Sequence, residues 1–193
     1  MKVAIIGKGH VGSALAKGLI DKRHEVKFGH RDPKEPVLEA AEWGEIIFMA
    51  VPYEAIDEAA KELGSAANGK PVVDVTNLIG TKGEWALGFS TSGAEELQKK
   101  LSKAFVVKAF NTVFAANQSS GRIGKEPLTL FVASDHPNAK EMVMQLGKDI
   151  GFEPLDVGPL KNARYLEPMA MLIIDLAFGQ RMGTKIGYKL IKG

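Results

Sequence analysis

Cysteine is absent from the 193-residue chain. That excludes disulfides, thiolate metal sites and cysteine nucleophiles, and it suits a reducing cytoplasm. Histidine is scarce. His10, His24, His30 and His136 are scattered, none at metal-ligand spacing beside carboxylates, so no metal is expected. The chain also lacks an excess of charge of one sign. Its 25 basic and 23 acidic residues leave a net charge of +2, spread evenly, which argues against nucleic acid or a membrane surface as partner. Long hydrophobic runs are missing too. Val3-Ala4-Ile5-Ile6 is cut off by Gly7 and Lys8, too short for a signal peptide. The longest run, Met169 to Phe178, is interrupted by Asp175 and falls short of the ~20 residues that span a bilayer. The expectation is a cytoplasmic protein.

What is present is the composition of a globular domain, 45% hydrophobic and 25% charged. Short β-branched runs read as strands: Val3–Ile6, Glu25–Phe28, Ile46–Ala50, Pro71–Val75, Phe105–Ala109, Leu128–Ala133 and Pro154–Val157. Several lack polar alternation, as strands buried on both faces of a parallel sheet should. Between them Val11–Leu19, Glu35–Ala41, Ala55–Leu63, Ala94–Leu101 and Asn138–Ile150 carry apolar residues at helical spacing. The alternation predicts an α/β fold: a Rossmann-type doubly wound, mainly parallel sheet over residues 1–158, with a C-terminal helical extension over 159–193. Two polar loops, Asn77 to Ser92 (containing Trp85 and Phe89) and Ala116 to Pro127, follow strands at the sheet's carboxyl edge, where open α/β folds bind ligands.

Gly7-Lys8-Gly9-His10-Val11-Gly12 matches G-x-G-x-x-G between an apolar strand and an Ala/Leu-rich helix, the context that makes the pattern specific for a dinucleotide. Gly7 serves the tight turn, Gly9 lets the backbone approach a pyrophosphate, and Gly12 lets the helix pack on the strand. Free N–H groups and the helix dipole then hold the phosphates. Lys8 and His10 either meet phosphates or face solvent, and Lys8 has a third reading as the partner of an acidic tail on the acceptor. At the end of the second strand, where an acidic residue would bind the ribose of NAD, stands His30, followed by Arg31 and, nearby, Lys34. A missing carboxylate beside cations suits the 2′-phosphate of NADP, because a guanidinium grips phosphate with two hydrogen bonds and stacks on adenine. Asp32 is the objection, as a rival ribose ligand. Lys34 reads equally well as surface charge.

Further along the ligand edge, Ala50-Val51-Pro52 would let the cofactor lie against the backbone, and Tyr53 either stacks or caps the next helix. Asp74-Val75-Thr76-Asn77 ends the next strand and offers Thr76 and Asn77 near the nicotinamide. Asp74, inside an apolar run, is read as structural, because buried carboxylates find fixed donors. No Ser/His/Asp set, Tyr-x-x-x-Lys pair or matched carboxylates stand in a cleft. Hydride transfer between a nicotinamide and a flavin-like ring needs little more than juxtaposition. Asn111 and Thr112 either hydrogen-bond the reacting groups or cap a strand end.

The glycine turn, Gly29-His30-Arg31, Ala50-Val51-Pro52, Val107-Lys108-Ala109-Phe110-Asn111-Thr112 and Pro154-Leu155-Asp156-Val157-Gly158-Pro159-Leu160 together resemble the NADPH-dependent reductases of the deazaflavin coenzyme F-420. They are also similar to the cytoplasmic oxidoreductase domain of six-transmembrane ferric reductases. The resemblance covers nearly the whole chain. It implies that Arg31 and the polar residue before it bind the 2′-phosphate. It also implies that the segment Ala109–Ala115, with Asn111, Thr112, Val113 and Ala115, lines the pocket where hydride passes to the acceptor, with F-420, FMN or FAD as second substrate. Two departures stand out. The deazaflavin enzymes carry a histidine where this chain has Asn111, and Arg31 to Ile46 leaves room for one short helix, so one strand of the family's sheet is expected to be missing.

Lys161 to Gln180 reads as one long helix with Arg164 and Glu167 at ion-pair spacing. Its second half is apolar almost all round, which predicts burial on more than one side, either in a two-fold homodimer where it packs on its partner or beneath its own sheet and tail. The resemblance implies a dimer of this kind, and Met171 and Phe178 are candidate walls of the acceptor pocket. The leading expectation is an NADP(H)-dependent oxidoreductase acting on a small-molecule electron acceptor. The alternatives are an NADP-sensing module without turnover and an imine or hydroxyacid dehydrogenase. Those dehydrogenases carry a larger helical domain than the tail here allows.

Overall fold

The computed structural model describes residues 1–78 and 90–193, so Trp85 and Phe89 lie outside the described residues. The chain runs from β1 (Lys2–Ile6) through α1 (His10–Asp21), β2 (Glu25–Gly29), α2 (Val37–Trp43), β3 (Ile46–Met49), α3 (Ile56–Leu63), β4 (Pro71–Asp74) and α4 (Gly93–Lys100) to β5 (Phe105–Lys108). These strands form a parallel sheet in the order β2-β1-β3-β4-β5. A short helix α5 (Ala115–Gln118) and a small hairpin of β6 (Arg122–Ile123) and β7 (Glu126–Pro127) follow. Then come β8 (Thr129–Val132), α6 (Pro137–Ile150), β9 (Glu153–Asp156) and α7 (Ala163–Ile174). β8 and β9 pair in parallel, and an antiparallel bridge between Lys108 and Ala133 attaches them to the edge at β5. The mainly parallel α/β sheet expected from the sequence is therefore present.

The strands' period-2 pattern divides the core in two. On one face Val3, Ile5, Phe48, Val73 and Val107 pack against Leu15 and Leu19 of α1 and Val143 and Leu146 of α6. On the other, Ala4, Ile6, Ile47, Met49 and Val106 pack against Ala40 of α2, Leu63 of α3 and Leu97 of α4. β3 and β4 are buried along their whole length, which is why they show no polar alternation. Pro137 opens α6 and Gly151, at φ 125°, ends it, the ordinary asymmetry of helix termini. Between Arg31 and Ile46 only α2 forms, so β2 is the sheet's edge, as the short spacing predicted.

The C-terminal region departs from one long helix. A 3-10 turn at Leu160–Asn162 leads into α7, which contains Pro168 and passes into a π-helical turn at Asp175–Gly179. Arg164 and Glu167 do not pair. Arg164 grips Glu95 of α4 with two hydrogen bonds (2.8 and 2.7 Å), while Glu167 turns into the interior. The chain then returns along β8, where Tyr188 O accepts from Thr129 N (2.9 Å) and Leu190 N donates to Thr129 Oγ1 (2.8 Å). Among the described residues no helix is long and apolar enough to cross a membrane, and no group of three or more His, Asp or Glu side chains could hold a metal ion.

Candidate functional site

From β1 the chain moves to β2 on one side and later returns to β3 on the other. The carboxyl ends of β1 and β3 therefore flank a topological switch point, where open α/β sheets bind ligands. A cavity of about 550 Å³ opens there. Gly7, Lys8 and Gly9 form one wall, His30 and Arg31 a second, and Ala50, Val51 and Pro52 a third. Ile6 and Val37 lie beneath, and Ala55, Glu58, Ala59 and Glu62 approach from α3 and the turn before it.

The glycine turn is shaped by close approach. Gly7 sits at φ 107°, and a Cβ there would stand 2.3 Å from the carbonyl oxygen of Ala50. A Cβ on Gly12 would stand 2.2 Å from the Gly7 carbonyl oxygen, so α1 packs directly on the turn. Above Gly9 the same test meets nothing within 4 Å. α1 begins at His10 with Gly9 as its N-cap, with no side-chain cap and no acidic residue in its first turn. Its leading N–H groups and the positive end of its dipole are thus uncompensated by side chains.

Of the residues expected to bind a cofactor, Gly7, Lys8, Gly9, His30, Arg31, Ala50, Val51 and Pro52 are brought together around the cavity. His10, Val11 and Gly12 belong to α1 behind it. Lys34 is exposed outside it, with its backbone N–H held by Asp32 Oδ1 (3.0 Å). Tyr53 starts the 3-10 turn that leads into α3 and does not line the cavity. Thr76 and Asn77 lie at the end of β4. Thr76 donates its N–H and hydroxyl to Asp74 Oδ1 (2.9 and 2.6 Å), and Asn77 Nδ2 donates to the Asn111 carbonyl (3.0 Å).

Carboxylates that sequence reasoning missed shape the electrostatics. Glu35 accepts from Lys8 Nζ at 2.8 and 2.9 Å and from His30 Nε2. Arg31 Nη2 lies 3.4 Å from Glu58 Oε2. The Lys8 hydrogen bonds, chief among several causes, hold the Glu35 carboxyl below its usual range. Ala55, Glu58, Ala59 and Glu62 stand at i, i+3, i+4 and i+7, the spacing of one helix face, and that is the face turned toward the cavity.

The segment proposed for the acceptor is buried. Asn111, Thr112 and Val113 are nearly inaccessible, and Ala115 is half-buried at the start of α5. Asn111 Nδ2 donates to Asn77 Oδ1 (3.1 Å) and to the Leu166 carbonyl of α7 (3.0 Å), so the amide ties three elements together. The preceding Phe110 is a non-glycine residue at φ 65°, fully buried, with its carbonyl held by Gln118 Nε2 (2.9 Å). Beneath this turn Lys108 Nζ meets Asp74 Oδ2 (2.9 Å), Glu167 Oε1 (3.1 Å) and the Thr76 carbonyl (2.7 Å), all inaccessible to solvent. Glu167 also accepts from the N–H groups of Gly93 (3.1 Å) and Ala94 (3.3 Å) at the start of α4. Burial opposes the Lys108 charge, but the two carboxylates outweigh it and the ammonium's pKa is raised. Asp74 is structural, as expected. Phe178 is largely exposed, its ring edge-on to Phe114, and neither it nor Met171 lines the cavity between β1 and β3.

Residues 2–37 and 34–78 match the family described as NADP oxidoreductase, coenzyme F420-dependent. A metalloreductase, STEAP3 of Rattus norvegicus, is 33% identical over 189 positions covering 90% of this chain and 37% of the relative. The F420-dependent NADP reductase of Methanothermobacter marburgensis is 28% identical, covering 94% of this chain and 95% of that one. A crystal structure of a provisionally named F420-dependent NADP reductase from Arthrobacter sp. FB24 superposes with a TM-score of 0.92 over 100% of both chains at 26% identity. The chain is a homologue of the F420-dependent NADP reductases and the STEAP metalloreductases. The matched family description is that of an NADP oxidoreductase, and these relatives are named as reductases. The chain spans little more than a third of the metalloreductase's length and nearly all of the methanogen reductase's. Every residue lining the cavity falls within the part of this NADP oxidoreductase homologue that the family description matches, whereas Lys108 and Glu167 lie beyond it.

Proposed function

We propose that the protein binds NADP(H) in the crevice between β1 and β3 and passes hydride between it and a flavin or deazaflavin acceptor of the F420, FMN or FAD kind. The observation that carries this is the cavity itself, with a glycine turn and an uncapped helix N-terminus on one side and His30-Arg31 at the end of β2 on the other. Open space above Gly9 and a volume of about 550 Å³ fit an extended nucleotide. Bound NADPH supplies the hydride. The Gly7–Gly9 backbone and the first turn of α1 hold pyrophosphate, Arg31 with Lys8 and His30 hold the 2′-phosphate, and Ala50–Pro52 give a smooth wall. Asn111, joined to Asn77 and to α7, positions the end of β5 rather than acting as a free donor. The homologues named for F420-dependent reduction and for metalloreduction support the reaction class, and the lack of cysteine suits action in the cytoplasm.

The exposed apolar side chains of the C-terminal region, Tyr165, Leu172, Phe178 and Met182, support a homodimer formed through α7. The deciding experiment is anaerobic mixing with NADPH and, separately, F420, FMN and FAD while nicotinamide and acceptor absorbance are followed. Oxidation of NADPH coupled to reduction of one acceptor is the expected result. NADPH binding with no turnover of any acceptor would make the protein a sensor, and absence of binding would sink the reading altogether.

A further inference from the structure

The cations that would meet a 2′-phosphate are already occupied by the protein's own carboxylates. The loop after β2 closes on itself: His30 N donates to the Glu35 carbonyl (2.8 Å) and Glu35 N to the Asp32 carbonyl (2.9 Å), which returns Glu35 beside His30. Asp32 N donates to His30 Nδ1 (3.2 Å), so the imidazole proton resides on Nε2 and is given to Glu35. From the other side Lys8 Nζ reaches both oxygens of the same carboxylate. Lys8 and His30 line the cavity, whereas Glu35 stands behind them. An ammonium and an imidazole N–H directed at two oxygens of one anion are equally suited to phosphate.

We propose that Glu35 is an internal stand-in for the cofactor's 2′-phosphate, holding Lys8 and His30 until the dinucleotide takes them, and so sets how far NADP(H) is preferred over NAD(H). The inference rests on the NADP reading above. The exchange is feasible because the Lys8–Glu35 pair is exposed, with 46% and 34% of the two side chains accessible, and exposed pairs are weak. A carboxylate that competes with the incoming phosphate lowers affinity for nucleotides carrying that phosphate and leaves the others alone, because a ligand shifts an equilibrium only through the interaction it replaces. The opposite role is also chemically available: a carboxylate here could accept the 2′-hydroxyl of NAD. The two roles give opposite results on one substitution.

Glu35→Gln keeps the side chain's size and an oxygen for Lys8 and His30 while removing the charge. Wild type and variant would be titrated with NADPH and NADH by nicotinamide fluorescence, and with 2′,5′-ADP and 5′-AMP by calorimetry. The expected result is about three- to tenfold tighter NADPH and 2′,5′-ADP, the scale of one exposed ion pair, with NADH and 5′-AMP changed less than about twofold. In a Lys8→Met background the gain should vanish. Wild type that binds NADPH, with a variant that binds it no better or gains equally for all four ligands, overturns the inference and leaves the NADP reading intact. Weaker NADH with unchanged NADPH also overturns it, making Glu35 a ribose ligand. If neither protein binds any nucleotide, the NADP reading fails and takes this inference with it.

Discussion

Arg31 carries the cofactor assignment most directly. Its side chain is 83% accessible, and its nearest partner, Glu58, is 3.4 Å away and itself largely exposed, so little in the protein holds the guanidinium in place. A phosphate would hold it, through paired charge-assisted hydrogen bonds worth about 1.5–3 kcal/mol where well formed. At so exposed a position the lower end applies. Arg31→Ala should therefore weaken NADPH binding about tenfold while leaving NADH within about twofold. An NADPH/NADH affinity ratio equal to wild type, measured by fluorescence titration, would remove the assignment. At Phe110 the backbone, not the side chain, is unusual. Its φ of 65° is costly for an aromatic residue, and the ring contacts with Phe48 and Phe152 together with the Gln118 bonds hold it there. Strain of this kind gathers at functional turns, and this one begins the Asn111–Ala115 segment.

Among the elements, the buried Asp74–Lys108–Glu167 cluster joins β4, β5 and α7, with the N-terminus of α4 as a fourth partner. Removing the cation leaves two carboxylates buried without their counter-ion. Lys108→Met should cost about 3–5 kcal/mol in urea unfolding, far more than an exposed pair. The pH dependence follows from the direction of the shift. The folded state raises the Lys108 pKa above its ordinary 10.5, so it binds that proton more tightly than the unfolded chain. The stabilisation is fully present below 10.5 and fades as pH rises through the folded-state value. The ammonium's own share of the stability gap between wild type and Lys108→Met should thus be lost only in strong alkali. A gap that stayed unchanged as pH rose through strong alkali would contradict the ion-pair account. This cluster also marks where sequence reading stopped. Strand–helix alternation and the glycine turn are local patterns, set by burial on both faces and by close backbone approach, and both were legible. Lys108 and Asp74 are 34 positions apart and meet only because β4 and β5 pair in register, while Arg164 and Glu167 at helical spacing looked like partners of each other. A charged residue inside each of two buried strands was the available signal. The Glu35 and Glu58 contacts depended on the turn after β2 and on the rotational phase of α3, which no single segment specifies.

For the whole molecule, the proposed dimer would form through α7. Its inner face, Leu166, Glu167, Ala170 and Ile173, is buried against its own domain, so the expectation of an almost uniformly apolar helix is met on one side by intramolecular packing. The outer side keeps Tyr165 at 69% and Leu172 at 54% accessibility, seven positions apart and so on one face, with Phe178 at 64% and Met182 at 59% beyond the helix end. Apolar side chains this exposed and this close in sequence form a patch of the kind that marks interfaces. In a two-fold dimer each residue near the axis meets its own copy, so a charge placed there is repelled by itself. Wild type should run in light-scattering chromatography at about twice the 20.8 kDa chain mass. Leu172→Glu should shift it to a monomer without disturbing the cavity between β1 and β3, and NADPH affinity should be retained. A wild type that is monomeric at tens of micromolar would end the dimer proposal. A Leu172→Glu variant that stays dimeric would move the interface elsewhere, because two carboxylates cannot share a dry two-fold axis at small cost.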